Sequence, residues 1–269
     1  MKLLMIGAGN MGGAMLRRWL AAGMEARDVT VVSPSGRAMP DGVRVVPAVP
    51  AAEEGAYDVI LLGLKPQQLR SLSGGAIAGH APRLLASILA GVEEATLAPL
   101  CRAGAVVRAM PNLPVAIGKG VVALHSSTAD ESARDEVTAW MRPLGHVEWI
   151  ADEARFDDVT ALAGCGPGFV FRFADALAQA GAALGLPADQ AARLALATLE
   201  GAAVMAADAD APPATLADRV ASPGGSTRQG LNVLDRADGL VALLTDTLAA
   251  SARRNREMAA ETRSTAAGP

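Results

Sequence analysis

The chain has 269 residues, of which 51% are hydrophobic and only 3% aromatic, and its formal net charge is −4 at pH 7. This length suits one large domain or two ordinary ones, and alanine, leucine and valine must build most of the interior. The mild negative charge and the lack of a basic block argue against a nucleic-acid partner. No apolar run reaches membrane-spanning length, and the run at residues 2–6 is too short for a signal peptide, so we expect a cytoplasmic protein with no membrane partner.

The cysteines and histidines give no sign of a metal site. Cys101 and Cys165 lie far apart in the sequence, and the three histidines are scattered. So few cysteines favour two reduced thiols over a disulfide. No spacing of Cys, His or carboxylate residues resembles a set of metal ligands, and we therefore expect no metal.

The first 150 residues alternate between strand-like and helix-like patterns. Apolar runs predict strands at residues 2–6, 28–32, 43–46, 58–62, 84–89, 105–109, 121–124 and 147–150, and a helix is predicted at 132–141. Such alternation is typical of a parallel, doubly wound sheet of the Rossmann type.

Beyond residue 152 the sequence predicts helices only, at 156–162, 169–184, 188–205, 215–221, 227–234 and 240–258. We therefore expect an α/β domain over residues 1–151 that binds NAD(P), followed by an all-helical domain over 152–261. The last residues, 262–269, are small and polar, which is typical of a flexible tail.

A glycine-rich loop with the sequence Gly7, Ala8, Gly9, Asn10, Met11, Gly12 follows the first predicted strand and opens the first predicted helix. In this context the spacing indicates a dinucleotide site. The first glycine permits the tight turn, the second lets the backbone approach the pyrophosphate, and the third lets helix and sheet pack closely.

The end of the second strand indicates which dinucleotide is bound. An NAD site would place Asp or Glu there to bind the ribose 2′-hydroxyl. This chain instead has Ser33, Ser35 and Arg37, which suit a 2′-phosphate better. We predict a preference for NADPH, with NADH still usable, although Arg37 could also be an ordinary exposed arginine.

Two further segments are predicted to face the cofactor, because loops at the carboxyl ends of parallel strands line the cofactor crevice. Leu64, Lys65 and Pro66 follow the fourth strand, and Asn112 follows the strand at 105–109. Lys65 is expected to contact the cofactor, although a surface lysine is the plain alternative. Asn112 could reach the nicotinamide end.

A turn and a helix start are predicted at residues 222–227, which include Ser222, Gly224, Gly225, Ser226 and Thr227. Pro-Gly-Gly cannot continue a helix and allows positive φ, and Ser226 or Thr227 offers a hydroxyl to cap the next helix. A helix start exposes free N–H groups that can bind a small carboxylate. Taken alone, these residues favour a tight turn with a cap.

The helical half lacks the residues that carbonyl reduction needs. No lysine follows Lys119 and no histidine follows His146, whereas sugar-acid and hydroxyacid dehydrogenases of similar layout move the alcohol proton with one of these. A carboxylate such as Asp175 could still serve. A protonated imine needs positioning more than a strong acid, and residues 222–227 offer a hydroxyl and an anion site. These features favour an imine reductase whose substrate lies between the domains.

Residues 220–231 resemble the signature of the pyrroline-5-carboxylate reductase family, and 163–171 resemble the segment with which that family's second domain begins. Residues 7–12, 64–67 and 110–112 match as well, in order, so that the resemblance runs from about residue 2 to residue 258. The glycine loop is shared by many folds, whereas 220–231 is specific.

The resemblance implies NAD(P)H-dependent reduction of 1-pyrroline-5-carboxylate to L-proline, the last step of proline synthesis. It also implies a helical domain that interlocks with its partner's in an obligate homodimer, often assembled into rings of dimers. Carried over by motif, Thr227 would hydrogen-bond the ring nitrogen, and the backbone from Gly224 to Thr227 would hold the carboxylate.

The chain departs from the family pattern at three positions. The family commonly has serine where Ala163 and Cys165 stand, and both exchanges of one small residue for another are expected to be structural. Arg219 stands where the family usually has an uncharged polar residue. Arg219 could pair with Asp218 or Asp235 at the surface, or it could add charge near the substrate carboxylate and so alter the preferred ring size.

Two other functions stay open at this point. One is a related imine reductase or a hydroxyacid-type dehydrogenase, which the missing Lys and His disfavour. The other is a regulatory protein that binds a dinucleotide without turnover.

Overall fold

The structure is a computed structural model that describes residues 1–69, 72 and 75–267, with side chains described up to residue 260. The chain forms two compact units. The first comprises Met1–Cys165 together with the chain from Ser251 onward, and the second comprises Gly166–Ala250. The predicted boundary at residues 151 and 152 stays a proposal, based on where the strand pattern ends.

The first unit contains an eight-stranded sheet with the order β3-β2-β1-β4-β5-β6-β7-β8. Its strands are β1 Leu3–Ile6, β2 Val29–Val32, β3 Arg44–Val46, β4 Val59–Leu62, β5 Leu84–Ser87, β6 Ala105–Pro111, β7 Gly120–His125 and β8 Gly145–Trp149. Strands β1, β2, β4 and β5 are buried at every residue, as expected of parallel strands covered on both faces. The prediction of a Rossmann-type α/β sheet is confirmed.

Two strands depart from the predicted parallel arrangement, because β8 is parallel to β7 and both run opposite to the other six strands. Strand β7 runs antiparallel to β6, with Arg108 opposite His125 and Pro111 opposite Val122. The connection between them is a short helical turn, Leu113–Ile117, that ends at Gly118 in the left-handed region (φ 70°). A parallel neighbour would need a crossover of a dozen or more residues, which this connection is too short to provide.

Helices cover both faces of the sheet in the first unit. Within the described residues up to 165, they include α1 Asn10–Ala21, α2 Glu94–Leu97, α3 Glu131–Met141 and α4 Phe156–Val159. One apolar cluster packs α1 and α3 on the sheet and contains a stacked pair of indoles, Trp19 and Trp140, with ring centroids 4.8 Å apart. A second cluster on the opposite face is built around Ile60, Leu62 and Leu85.

The second unit is helical, as predicted. It contains α5 Gly166–Ala183, α6 Ala188–Asp208, α7 Pro213–Arg219, α8 Ser226–Leu234 and the first part of α9 Leu240–Ala267. Helix α9 continues to Ala267, so the tail predicted at 262–269 is helical in its backbone as far as the structure describes it, and 268–269 lie outside the described residues. Among the described helices, none is long and apolar enough to cross a membrane.

Candidate active site

The turn after β1 requires glycine at its first position. Gly7 has a φ of 87°, in the left-handed region, and a Cβ there would lie 2.9 Å from the Leu64 backbone nitrogen and 3.0 Å from the Gly63 oxygen. Any other residue would be strained and would also collide with the loop after β4. The loops that follow β1 and β4 therefore pack directly together.

The rest of the glycine loop leaves room and donors for a ligand. Gly9 precedes α1, and a Cβ there would meet no described atom within 4 Å. The first hydrogen bond of α1 is donated by the Gly13 N–H to the Gly9 oxygen at 2.8 Å, so the N–H groups of Asn10, Met11 and Gly12 face outward from the helix start. This open helix N-terminus is the geometry that binds a pyrophosphate.

The segment after β2 places a basic side chain beside this loop. Ser33 is buried, and its Oγ accepts a hydrogen bond from the Arg37 N–H at 3.2 Å and lies 3.5 Å from the Ser35 Oγ. Nη1 of Arg37 lies 3.5 Å from the carbonyl oxygen of Ala8. Two hydroxyls and a guanidinium are therefore gathered where an NAD site would carry an acid.

Leu64, Lys65 and Pro66 lie at the same edge of the sheet. The Gly63 N–H donates to the Ile6 oxygen at 2.9 Å, which holds this loop against the end of β1. The Lys65 N–H donates to Gln68 Oε1 at 3.0 Å, and the Lys65 side chain is exposed. A contact between Lys65 and the cofactor stays a prediction.

Asn112 is buried, and its side-chain amide is engaged at both ends. The amide nitrogen donates to the Ala163 oxygen at 2.9 Å, and Oδ1 accepts from the Val121 N–H at 2.8 Å. The side chain thus joins β6, β7 and the segment that precedes α5. Its predicted contact with the nicotinamide end would have to use the remaining amide hydrogen.

Residues 222–227 form the predicted turn in the second unit. Gly224 has a φ of 71°, and the Gly225 N–H donates to the Ser222 oxygen at 2.9 Å. A Cβ on Gly225 would lie 2.5 Å from the Ser222 Oγ, so a larger residue there would require the Ser222 side chain to move. The turn ends where α8 begins at Ser226.

The prediction that a hydroxyl of Ser226 or Thr227 caps this helix is wrong. The N-cap of α8 is Gly225, and no side chain caps the helix. Within the described part of the chain, the hydroxyls of Ser222, Ser226 and Thr227 make no hydrogen bond, and all three residues are exposed. Because the N-cap residue is a glycine with no side chain to donate or accept, the first N–H groups of α8 and the hydroxyls of Ser226 and Thr227 stay available for a ligand.

The prediction that Arg219 pairs with Asp218 or Asp235 is also wrong. Asp218 pairs with Arg228, at 2.5 Å, and Arg219 makes no ion pair to a described residue. Arg228 lies in the first turn of α8 and reaches back to α7. Arg219 follows Asp218 directly on α7, and adjacent helix residues do not face each other.

The sequence interpretation missed a buried charged network at β6. Arg108 is 4% exposed, its Nη1 lies 2.7 Å from Glu153 Oε1, and its guanidinium stacks over the Phe156 ring at 4.4 Å. The signal was a charged residue inside an otherwise apolar strand, a pattern that calls for a buried partner.

The carboxylates of this network accept several hydrogen bonds. Glu153 Oε1 also accepts from the Glu94 N–H at 2.8 Å, and Glu94, itself buried, accepts from the Ser127 N–H at 2.8 Å and Oγ at 3.0 Å. Burial would raise the pKa of Glu153, but the Glu94 N–H and the Arg108 guanidinium outweigh burial and hold the pKa below its ordinary value.

The chain matches two family models. Residues 153–258 match "Pyrroline-5-carboxylate reductase dimerisation", and residues 2–91 match "NADP oxidoreductase coenzyme F420-dependent". The second match covers the glycine loop and the segment with Ser33 and Arg37. The two matches fall on the strand-rich and helical parts of the chain in the predicted order.

Relatives and solved structures agree with these models. The chain is 33% identical to the pyrroline-5-carboxylate reductase of Pseudomonas aeruginosa over 96% of this chain and 97% of that one. The pyrroline-5-carboxylate reductase structure from Coxiella burnetii has a TM-score of 0.84 at 28% identity, over 95% of this chain and 97% of that one.

A further structure is that of Plasmodium falciparum pyrroline carboxylate reductase with NADP bound. It has a TM-score of 0.78 at 26% identity and covers 96% of this chain and 98% of that one. With likeness of this extent in both sequence and structure, the chain belongs to the pyrroline-5-carboxylate reductase family.

Proposed function

We propose that this chain reduces 1-pyrroline-5-carboxylate to L-proline with NADPH. The observation that supports this function most directly is the start of α8, where an open helix N-terminus and the unbonded Thr227 hydroxyl stand side by side. The relatives described above are named for the same activity. The absence of lysine after Lys119 and of histidine after His146 fits a reaction that needs no strong acid.

The chemistry divides between an anion site and a hydroxyl. NADPH, when bound, supplies the hydride, which adds to the carbon of the protonated C=N bond as the electron pair of that bond moves to nitrogen. The backbone from Gly224 to Thr227, with Ser222 and Ser226 beside it, would hold the carboxylate through N–H groups and the helix dipole. Thr227 would bond the ring nitrogen and orient it, which makes it the catalytic residue of the proposal.

The cofactor would be held by the glycine loop. Gly7, Gly9 and Gly12 shape the loop, and the N–H groups of Asn10 and Met11 would meet the pyrophosphate. Leu64, Lys65, Pro66 and Asn112 complete the proposed contacts. The residues present fit the group, since Gly9 is open and the first N–H groups of α1 are unused within that helix.

A preference for NADPH over NADH is part of the proposal. Arg37, with Ser33 and Ser35, would bind the 2′-phosphate through a charge-assisted contact that NADH cannot make. NADH would still bind, because the pyrophosphate site is common to both.

A homodimer is also proposed, from the exposed apolar surface of the second unit. Helix α5 has no buried residue, and Val170, Phe171 and Phe173 on it are 55%, 60% and 41% exposed. Exposed apolar surface of this extent indicates a partner. A second copy of the chain is the partner that the dimerisation family supports. Further assembly into a ring of dimers is also proposed, and sedimentation velocity would measure the size of the assembly.

The expected cytoplasmic location remains part of the proposal. Cys101 and Cys165 are free thiols in the structure, which suits a reducing compartment.

The direct test is NADPH oxidation with pyrroline-5-carboxylate and a piperideine carboxylate side by side. The five-membered ring should be reduced with the higher kcat/KM, and NADPH should give the higher kcat/KM of the two cofactors. Cofactor binding without oxidation would instead identify a regulatory protein, and a clear preference for NADH would overturn the role of Arg37.

A further inference from the structure

The segment that leads from β8 to α5 is held at two points by one strand. Arg108 lies within β6, and Asn112 directly follows the end of that strand. Arg108 binds Glu153 at 2.7 Å, and Asn112 binds the oxygen of Ala163 at 2.9 Å. All of these residues lie in the first unit.

Between these two points the segment contains an unusual helical turn. Thr160–Gly164 forms a π-helical turn, in which the Cys165 N–H donates to the Thr160 oxygen at 2.9 Å, five residues back. Such wide turns are rare and frequently occur at functional sites. The turn is not produced by proline, since none lies between residues 144 and 166.

The π turn packs against the carboxyl end of β6. A Cβ on Gly164 would lie 3.8 Å from Met110 Cγ, so the turn rests directly on the strand end. Cofactors of doubly wound sheets bind outside the carboxyl ends of the strands. The π turn therefore borders the edge where the nicotinamide end is expected.

The charged network is connected to this turn through Phe156. Phe156 is buried, packs beneath the Arg108 guanidinium and begins α4, which runs directly into the π turn. The Thr160 hydroxyl donates back to the Phe156 oxygen at 2.7 Å, which links the stacked ring to the turn. A shift of Arg108 or Glu153 would therefore move the turn along the strand end.

We infer that Arg108 and Glu153 are positioning residues which, through Phe156 and the π turn, fix the protein wall against the nicotinamide ring. This inference rests on the proposed reduction with NADPH. The two residues act on the nicotinamide end alone, because the pyrophosphate and the 2′-phosphate would be held by the glycine loop and Arg37. Substitution of either residue should slow hydride transfer without lowering the affinity for the rest of the cofactor.

The test uses Arg108→Lys and Glu153→Gln. The first keeps the charge but loses the planar stack on Phe156, and the second keeps the shape but loses the charge. Arg83→Lys is the matched control: Arg83 makes two 2.7 Å bonds to Glu136 but precedes β5, at the opposite end of the strands. Circular dichroism of each variant establishes whether it folds. If Arg108→Lys does not fold, Glu153→Gln provides the test.

Three quantities are compared with wild type: the fluorescence emission of bound NADPH, the Kd of 2′-phospho-ADP-ribose, and kcat. We expect shifted emission and a kcat lowered about tenfold in Arg108→Lys, with the Kd of the nicotinamide-free fragment within about twofold of wild type. Glu153→Gln should change emission and kcat in the same direction, and Arg83→Lys should change neither.

Two results would overturn the inference. One is wild-type emission and kcat in a folded Arg108→Lys or Glu153→Gln variant. The other is loss of fragment affinity as large as the loss of NADPH affinity, which would indicate a general structural role. If wild type fails to oxidise NADPH with pyrroline-5-carboxylate, the proposed function fails, whereas the emission and fragment measurements still decide the positioning role.

Discussion

The guanidinium of Arg228 donates to the carboxylate of Asp218 at 2.5 Å, and this pair ties the first turn of α8 to α7. Arg228 immediately follows Thr227, the residue proposed to bond the ring nitrogen. The side chain of Arg228 is 30% exposed, whereas that of Asp218 is 68% exposed. The pair thus orients the helix start that is proposed to bind the substrate carboxylate.

Arg228→Gln should therefore raise the KM for pyrroline-5-carboxylate. A partly exposed pair contributes up to about 1 kcal/mol, which corresponds to about fivefold in KM if all of it orients the site. Arg219→Gln is the control, since Arg219 is exposed and makes no ion pair to any residue described in the structure. Equal effects of the two changes on KM would contradict a role for the Asp218 pair, and would place the charge of Arg219 near the substrate instead.

Arg37→Ser should reduce the discrimination between the cofactors. Loss of a charge-assisted contact to the 2′-phosphate should raise the KM for NADPH about tenfold and leave the KM for NADH nearly unchanged. Initial rates with each cofactor measure this. Arg27→Ser serves as the control, because Arg27 is 82% exposed at the amino end of β2. An equal rise of both KM values in Arg37→Ser would contradict a contact between Arg37 and the 2′-phosphate.

Glu153 should make folding stability depend on pH in the acidic range. Its pKa lies below the ordinary value of 4.5, so it stabilises the fold above that pH, and this contribution is lost as the pH falls through the lower folded-state pKa. Glu153→Gln should cost about 1 kcal/mol of unfolding free energy at pH 7. Urea titrations from pH 7 downward should show a smaller loss of stability in this variant than in wild type.

Asp157 provides a control of opposite sign for that measurement. Burial raises its pKa, an effect that Arg108 and Arg256 only partly offset. Its ionisation opposes folding, so stability declines as the pH rises from the ordinary value of 3.8 through the higher folded-state value. Asp157→Asn should remove this decline. A Glu153→Gln variant that follows the same curve as Asp157→Asn would contradict the opposite signs assigned to the two carboxylates.

The exposed apolar surface of the second unit predicts an effect on assembly. Phe171→Arg should weaken the homodimer by at least about 2 kcal/mol, because a charge would be buried at the contact. Sedimentation velocity over a range of concentrations should show a shift toward monomer. Val45→Arg, on an exposed strand of the first unit, should leave the sedimentation unchanged. An unaltered dimer in Phe171→Arg would place the interface elsewhere.

Much of this fold follows from apolar patterning. Buried strands such as Val59–Leu62 read as continuous apolar runs, and each predicted strand lies within a few residues of an observed one. The reversed direction of β7 did not follow, because direction depends on the length and turn of the connection at Leu113–Ile117 rather than on the strand's own residues.

The site was predictable only where local chemistry specifies it. Gly7 and Gly224 are positions that demand positive φ, and motif spacing finds such residues. The cap at Gly225 depends on exact turn geometry, and the hydrogen bonds of Asn112 depend on residues distant in the sequence, such as Ala163. The charge of Arg108 within an apolar strand indicates that a partner exists, but no local pattern identifies Glu153, which lies 45 residues away in the sequence.

Thr227→Ala tests the central claim most directly, because Thr227 carries the hydroxyl that is free at the start of α8. Its kcat/KM for pyrroline-5-carboxylate should fall about 10²-fold, the range for loss of one oriented donor, and Thr227→Ser should recover most of it. Thr245→Ala, which removes a hydroxyl bonded to the Val241 oxygen on α9, is the control. Near-wild-type kcat/KM in Thr227→Ala would contradict the account.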